Sequence, residues 1–143
     1  MPAMRIKIAV QLLLLLTGPA QAWEVTRTKD RMTDRTVTWA AARSGDATLL
    51  VGCLNGSVSP RLTWDRRIGY GTIGLSYRVD DGPVIPRMAG TSQSGNTLYP
   101  WLMSGGAEVM RAKRLRVQLN GEVYDFALAK GEGLPAPKAG WGC

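Results

Sequence analysis

The sequence predicts an all-β domain, mainly an antiparallel sandwich or partly closed barrel, with one short helix near residues 100–112 and a cleavable N-terminal signal helix. Asn120-Gly121 and Asn55-Gly56 each lie between alternating runs, which is the strongest short-range hairpin signal. Apolar side chains recur at every second position elsewhere, as in Ile73, Leu75, Tyr77 and Val79. Only Pro100 to Lys113 drops the alternation. There Trp101, Leu102, Val109 and Met110 can share one side of a short helix, weakened by Gly105-Gly106.

The chain begins with the pattern of a secretory signal peptide. Arg5 and Lys7 precede an apolar run ending in Leu12 to Leu16. Thr17-Gly18-Pro19 breaks it, and Ala20-Gln21-Ala22 puts small residues at the two cleavage-determining positions before Trp23. The apolar run is too short to span a bilayer. Removing residues 1–22 from the 143-residue chain leaves 121 residues, the size of one domain. That domain, 23–143, is expected to have no integral membrane span. It also lacks the cysteine after the cleavage site that a lipid anchor would use.

Within the domain, Trp23 to Thr28 alternates as a first strand, and a second follows from Arg35. In the second, Val37, Trp39 and Ala41 share one face and Thr36, Thr38 and Ala40 the other, before Ser44-Gly45-Asp46 turns the chain. With Asn55-Gly56 as a two-residue loop, Cys53 faces Val58, Val51 faces Pro60 and Leu49 faces Leu62, so Cys53 points to the core side. Pro60 donates nothing to a ladder, which places its strand at an edge or a bulge. Asp80-Asp81-Gly82-Pro83 then turns Ile73 to Val79 back into Val84 to Met88. Gly90 to Asn96 has the composition of a loop. The Asn120-Gly121 turn sets Leu119 opposite Glu122, Val117 opposite Tyr124 and Leu115 opposite Phe126. One face of that hairpin is apolar, and Arg116 lies opposite Asp125 on the other. From about residue 130 the glycine- and proline-rich tail reads as coil held at its end by Trp141 and Cys143.

The two cysteines, Cys53 and Cys143, form an even pair in a chain sent to an oxidising compartment, so a disulfide between them is expected. Two thiols and no histidine are too few for a closed zinc site, and no cofactor is expected. The net charge of +7 falls to +5 once Arg5 and Lys7 are removed. This permits anionic partners without selecting one, and an ordinary basic surface that keeps the protein soluble is the preferred explanation.

No catalytic residues stand out. Histidine, the commonest base near neutral pH, is absent. No serine has the lysine spacing of a Ser-Lys pair, and Ser92 and Ser94 lie in the polar loop. Asp80 and Asp81 invite comparison with a glycosidase pair, but neighbours in a strand point to opposite faces and Asp-Gly-Pro marks a turn. Gly69-Tyr-Gly-Thr-Ile-Gly74 matches a dinucleotide-binding pattern, yet a strand and not a helix follows it. Trp64-Asp65-Arg66-Arg67 and Arg111 to Arg116 mix basic and apolar residues. Strand alternation accounts for the second stretch, and export disfavours nucleic acid as a partner.

Several segments together resemble the VasI-like family. They are Trp23 after the cleavage site, Met32-Thr33-Asp34, Cys53 ending an apolar strand, Tyr77-Arg78-Val79-Asp80-Asp81-Gly82-Pro83, Ala112-Lys113-Arg114-Leu115 and the final cysteine. That family comprises small exported proteins of Gram-negative bacteria associated with type VI secretion clusters. The resemblance implies a periplasmic accessory role and brings no catalytic residues to carry over; a surface that binds another exported or envelope protein fits the residues better than a nucleic-acid site does. The motif residues it singles out are Tyr77, Arg78, Asp80, Asp81, Gly82 and Pro83. The expectation is therefore a non-enzymatic periplasmic binding protein. The alternative is a secreted inhibitor or immunity-type protein that acts on a cell-wall hydrolase. Mass spectrometry of the exported protein should find a mature N-terminus at Trp23; an N-terminus at Met1 would remove the periplasmic expectation.

Overall fold

The structure, a computed structural model, describes residues 22–135 and 140–143. The expected signal helix within residues 1–21, and residues 136–139 of the tail, lie outside the described residues. Two antiparallel sheets make up the domain. The first has the order β1 (Glu24–Lys29), β2 (Thr36–Ser44), β3 (Ala47–Leu54), β4 (Ser57–Trp64), β7 (Thr97–Leu98). The second has the order β6 (Ile85–Gly90), β5 (Thr72–Val79), β8 (Arg114–Leu119), β9 (Glu122–Ala127). The arrangement is sandwich-like, with no closed barrel.

Both Asn-Gly turns adopt left-handed backbone at their two central residues, with φ of 51° and 80° at Asn55-Gly56 and 51° and 79° at Asn120-Gly121. A two-residue hairpin loop whose twist matches its strands needs this geometry, and asparagine and glycine tolerate it. The registers follow: Cys53 pairs with Val58 and Leu49 with Leu62, while Leu119 pairs with Glu122 and Leu115 with Phe126. A slip of one residue would turn every core side chain outward. Leu49, Val51 and Leu62 of the first sheet are fully buried, as are Leu115, Val117 and Phe126 of the second. Each contributes about 1.5–3 kcal/mol by leaving water.

In β2 the inward face is the small one, with Thr38, Ala40 and Ala42 buried and Trp39 on the outer side. Space inside is taken by the chain's end. Pairing of β2 with β3 stops at Ala40–Val51, and the Thr38 N–H donates instead to the Trp141 carbonyl at 3.2 Å. The Thr38 hydroxyl donates to the Gly140 carbonyl at 2.7 Å, and Trp141 is buried. On the outer side Trp39 lies across Gly52, where any β-carbon would collide with the indole ring. The Arg61 guanidinium covers that ring, 4.9 Å from its centroid.

β4 meets β7 only at Leu62–Leu98 and Thr63–Thr97, so Pro60 has no ladder partner on that side. The helix α1 (Gly106–Arg111) covers this stretch, and a β-carbon on Gly106 would lie 2.8 Å from the Pro60 ring. The helix is shorter than the expected span of 100–112. Gly105, at φ 87°, caps its start, and Arg87 Nη1 donates to the carbonyls of Pro100 (3.1 Å) and Ser104 (3.2 Å), holding the preceding residues in turns. Trp101 is nevertheless buried, edge-on to Tyr77 at 5.4 Å between ring centroids.

The tail is tied back as expected. Cys53 and Cys143 form a disulfide with their Cα atoms 5.5 Å apart, closing a loop of 90 positions. The chain-entropy estimate for such a loop is about 4–5 kcal/mol, before any native strain. Cys143→Ser should therefore lower the melting temperature by at least about 10 °C and expose the tail to proteolysis. Thermal unfolding with and without reductant checks this: the wild type in reductant should match the variant.

Candidate functional site

The segment Tyr77 to Pro83 is the end of β5 and the turn that follows. Alternation sends Tyr77 and Val79 into the core and Arg78 outward. Asp80 then takes left-handed backbone at φ 49°, which aspartate tolerates better than most residues. Its Oδ1 accepts from the N–H groups of Lys113 (2.8 Å) and Arg114 (3.0 Å), and its own N–H donates to the Arg114 carbonyl at 2.9 Å. Asp80 thus fastens the turn to the start of β8. The Gly82 N–H closes the turn onto the Val79 carbonyl at 3.0 Å, and exposed Pro83 leads out of it. The turn carbonyls face Arg78, whose Nε donates to Gly82 O at 2.7 Å and Nη2 to Asp81 O at 3.3 Å.

Arg78 has a neighbour that the sequence does not place beside it. β5 pairs with β8 so that Arg78 stands in register with Arg116. Side chains in register on adjacent antiparallel strands share a face, so two cations lie side by side on the outer surface of the second sheet. Arg116 Nη2 donates to the Asp80 carbonyl at 3.1 Å, and its Nε is buried with no hydrogen-bond partner. A depression of about 150 Å³ opens beside them, lined by Ser76, Arg78, Arg116 and Gln118 and flanked by the exposed Val84 and Val123.

Asp125, which faces Arg116 across β8 and β9, is engaged elsewhere. Arg114 hydrogen-bonds both of its oxygens, through Nε at 2.8 and 3.0 Å and through Nη2. That bond holds the Asp125 carboxyl below its ordinary value against the opposing effect of burial, with a further Coulombic pull from Arg114 and Arg116. A depressed carboxylate stabilises the fold above its unfolded value of about 3.9, and the contribution fades as pH falls through the folded value. With both side chains about half exposed, that contribution is small.

Other clusters serve the fold. Arg66 joins the sheets at one end, with Nε on Asp46 at 2.8 Å and Nη2 on the Tyr124 hydroxyl at 3.0 Å; that hydroxyl donates to Glu122 at 2.6 Å. Burial, and then this bond to Glu122, raise the Tyr124 pKa. Gly69 to Gly74 enters β5 directly, as the sequence predicts, and forms no phosphate-binding strand-to-helix turn. Among the described residues, no group of three or more histidine, cysteine or acidic side chains is placed to hold a metal, and no helix is long and apolar enough to cross a membrane.

No family model, curated protein or solved structure matches this chain.

The sequence picked out Arg78, Asp80, Asp81, Gly82 and Pro83, and the structure gathers these around one turn. Arg116 completes the cationic pair, and the only local signal for it was its outward position in the last hairpin. Asp80→Asn keeps the Oδ1 acceptor and the tolerance of left-handed backbone, so its stability should stay within about 1 kcal/mol of the wild type. Asp80→Ala removes the acceptor and strains the backbone, and should cost about 1–2 kcal/mol in urea unfolding.

Proposed function

We propose that the protein is a non-enzymatic periplasmic binding protein that recognises another exported or envelope protein and is accessory to a type VI secretion apparatus. The observation that carries the binding part is the depression over Arg78 and Arg116. It offers cationic hydrogen-bond donors on a sheet face, and its lining contains no carboxylate, thiol or imidazole to act as base or nucleophile. The absence of histidine from the whole sequence supports the same reading. Export is supported by the Cys53–Cys143 disulfide together with the charged, apolar and small-residue regions at the N-terminus. The secretion role rests on the resemblance carried by Tyr77 to Pro83 and the other matching segments.

Crosslinking in the periplasm, followed by mass spectrometry, tests this. Recovery of an envelope component of a secretion apparatus is the expected result. Stoichiometric inhibition of a wall hydrolase would replace the accessory role with the inhibitor or immunity reading. Cleavage of a wall polymer by the purified domain, lost in Asp81→Asn, would overturn the non-enzymatic reading.

A further inference from the structure

We propose that the depression over Arg78 and Arg116 is a carboxylate site, taking a peptide carboxylate whose adjoining group is apolar. The proposal names the chemistry of the contact and so rests on the binding reading above.

Like charges directly opposite one another across two strands destabilise a sheet, and an interleaved acid is the simple remedy. Here the remedy is only partial: Asp125 stands in register with Arg116 and attracts it, but its hydrogen bonds go to Arg114. Among the described residues no carboxylate lies within ion-pair distance of Arg78 or Arg116. Asp125 is held by Arg114, and Asp80 accepts from two backbone N–H groups. The two guanidiniums are instead held by the main-chain carbonyls of Asp80, Asp81 and Gly82. Those carbonyls use Arg78 Nε and Nη2 and Arg116 Nη2. No described residue accepts from Nη1 of either arginine, and Arg116 Nε is buried without a partner. The positive charge is thus fixed in place before any ligand arrives, which reduces the ordering cost of binding.

The surroundings select the ligand. Arginine's planar fork matches a carboxylate bidentately. Ser76 and Gln118 add hydroxyl and amide groups to the lining. Val84 and Val123, exposed at 64% and 63%, give the depression apolar flanks that a free inorganic anion would leave unused. At about 150 Å³ the space suits one small side chain, since a cavity of that size holds a benzene-sized group. A carboxylate joined to an apolar group therefore fits better than phosphate. It can come from a chain's C-terminus or from a glutamate or aspartate beside an apolar residue.

The test follows the side-chain Nε–Hε resonances of Arg78 and Arg116 during titration of the full mature domain with acetyl-Ala-Val bearing a free carboxylate. Both should shift, with a Kd of about 1 mM or tighter. The C-terminal amide of the same peptide should bind at least about tenfold more weakly. Tight binding of acetyl-Glu-Val-amide would support the site and assign a side-chain carboxylate as the source. Inorganic phosphate binding as well as the free peptide would overturn the carboxylate assignment, and so would the absence of any shift.

Arg116→Gln should lose affinity at least about tenfold. Because that change also releases the Asp80 carbonyl, the second variant is Val123→Asp, which puts a repelling charge at an exposed position. It should weaken the free peptide similarly with no fall in unfolding midpoint, and unchanged affinity would overturn the site. A periplasmic partner captured equally by wild type and Val123→Asp, with no peptide binding, would reject the site and leave the binding reading standing. Peptide binding without any captured partner would support the site and reject that reading.

Discussion

The four register pairs from Ser76–Gln118 to Val79–Leu115 join two hairpins that are otherwise separate. β5 with β6, and β8 with β9, each form locally, and an isolated two-stranded hairpin in water is marginal at best. Joined through β5 and β8, they present a continuous inward face of Leu75, Tyr77, Leu115, Val117, Tyr124 and Phe126 to the first sheet. The chain between the hairpins closes the sandwich. It leaves β6, adds β7 to the edge of the first sheet beside Leu62, and passes through α1 against Pro60 before returning as β8. Non-local pairing of this kind must overcome loop-closure entropy before its contacts form, so the side chains at that seam need to fit well. On the inward face they do. On the outward face the same register sets Arg78 beside Arg116, and the Asp80 to Gly82 carbonyls, with Asp125 facing Arg116 from β9, offset their repulsion.

What was legible in the sequence follows from how local each signal is. Asn-Gly specifies a turn through the backbone angles of those two residues, and the turn specifies the register, so the partners of Cys53, Leu49, Leu115 and Leu119 could be assigned without knowing the rest of the fold. The inward orientation of Cys53 came with that register, and two cysteines permit only one pairing. Period-two alternation, by contrast, tells which face a residue occupies but not which strand lies alongside. The juxtaposition of Arg78 and Arg116 was therefore hidden, although Arg116 was correctly placed on an outer face. β7 is too short to leave a pattern at all. The helix was half legible: Val109 and Met110 pack inward within it, whereas Trp101 reaches the core from a turn held by Arg87.

β2 shows the same limit from the other direction. Its larger residues, Val37 and Trp39, lie on the outer side because the inner side is closed by Trp141, a residue about a hundred positions away whose backbone fills the place where β3 diverges from β2. The tail is irregular in secondary structure and still part of the core. Near the start of the described residues Trp23 is buried, and its indole N–H donates to the Leu128 carbonyl at 3.1 Å. Both ends of the folded chain are thus anchored by a tryptophan, and the Cys53–Cys143 bond makes the C-terminal anchor covalent. In a small domain with one modest core, such a bond supplies stabilisation that burial alone gives sparingly.

Each sheet carries arginine on its outer surface, and the two uses differ. Arg61 lies over Trp39, where burial lowers its pKa and its guanidinium shields an indole that the small Gly52 lets lie close to the strand. Contact with the ring occupies one face of that cation, and the residue completes the packing of the first sheet. Arg78 and Arg116 have no aromatic partner of this kind. Carbonyls hold one side of each guanidinium, and the other side borders a depression with apolar flanks. A stacked arginine is satisfied by what it covers. A pair of like charges lining an open depression is satisfied by water or by an anion, and the anion also relieves their mutual repulsion. The carboxylate site we propose therefore lies on the second sheet, and the turn that positions its arginines is the same Tyr77 to Pro83 segment that stands out in the sequence.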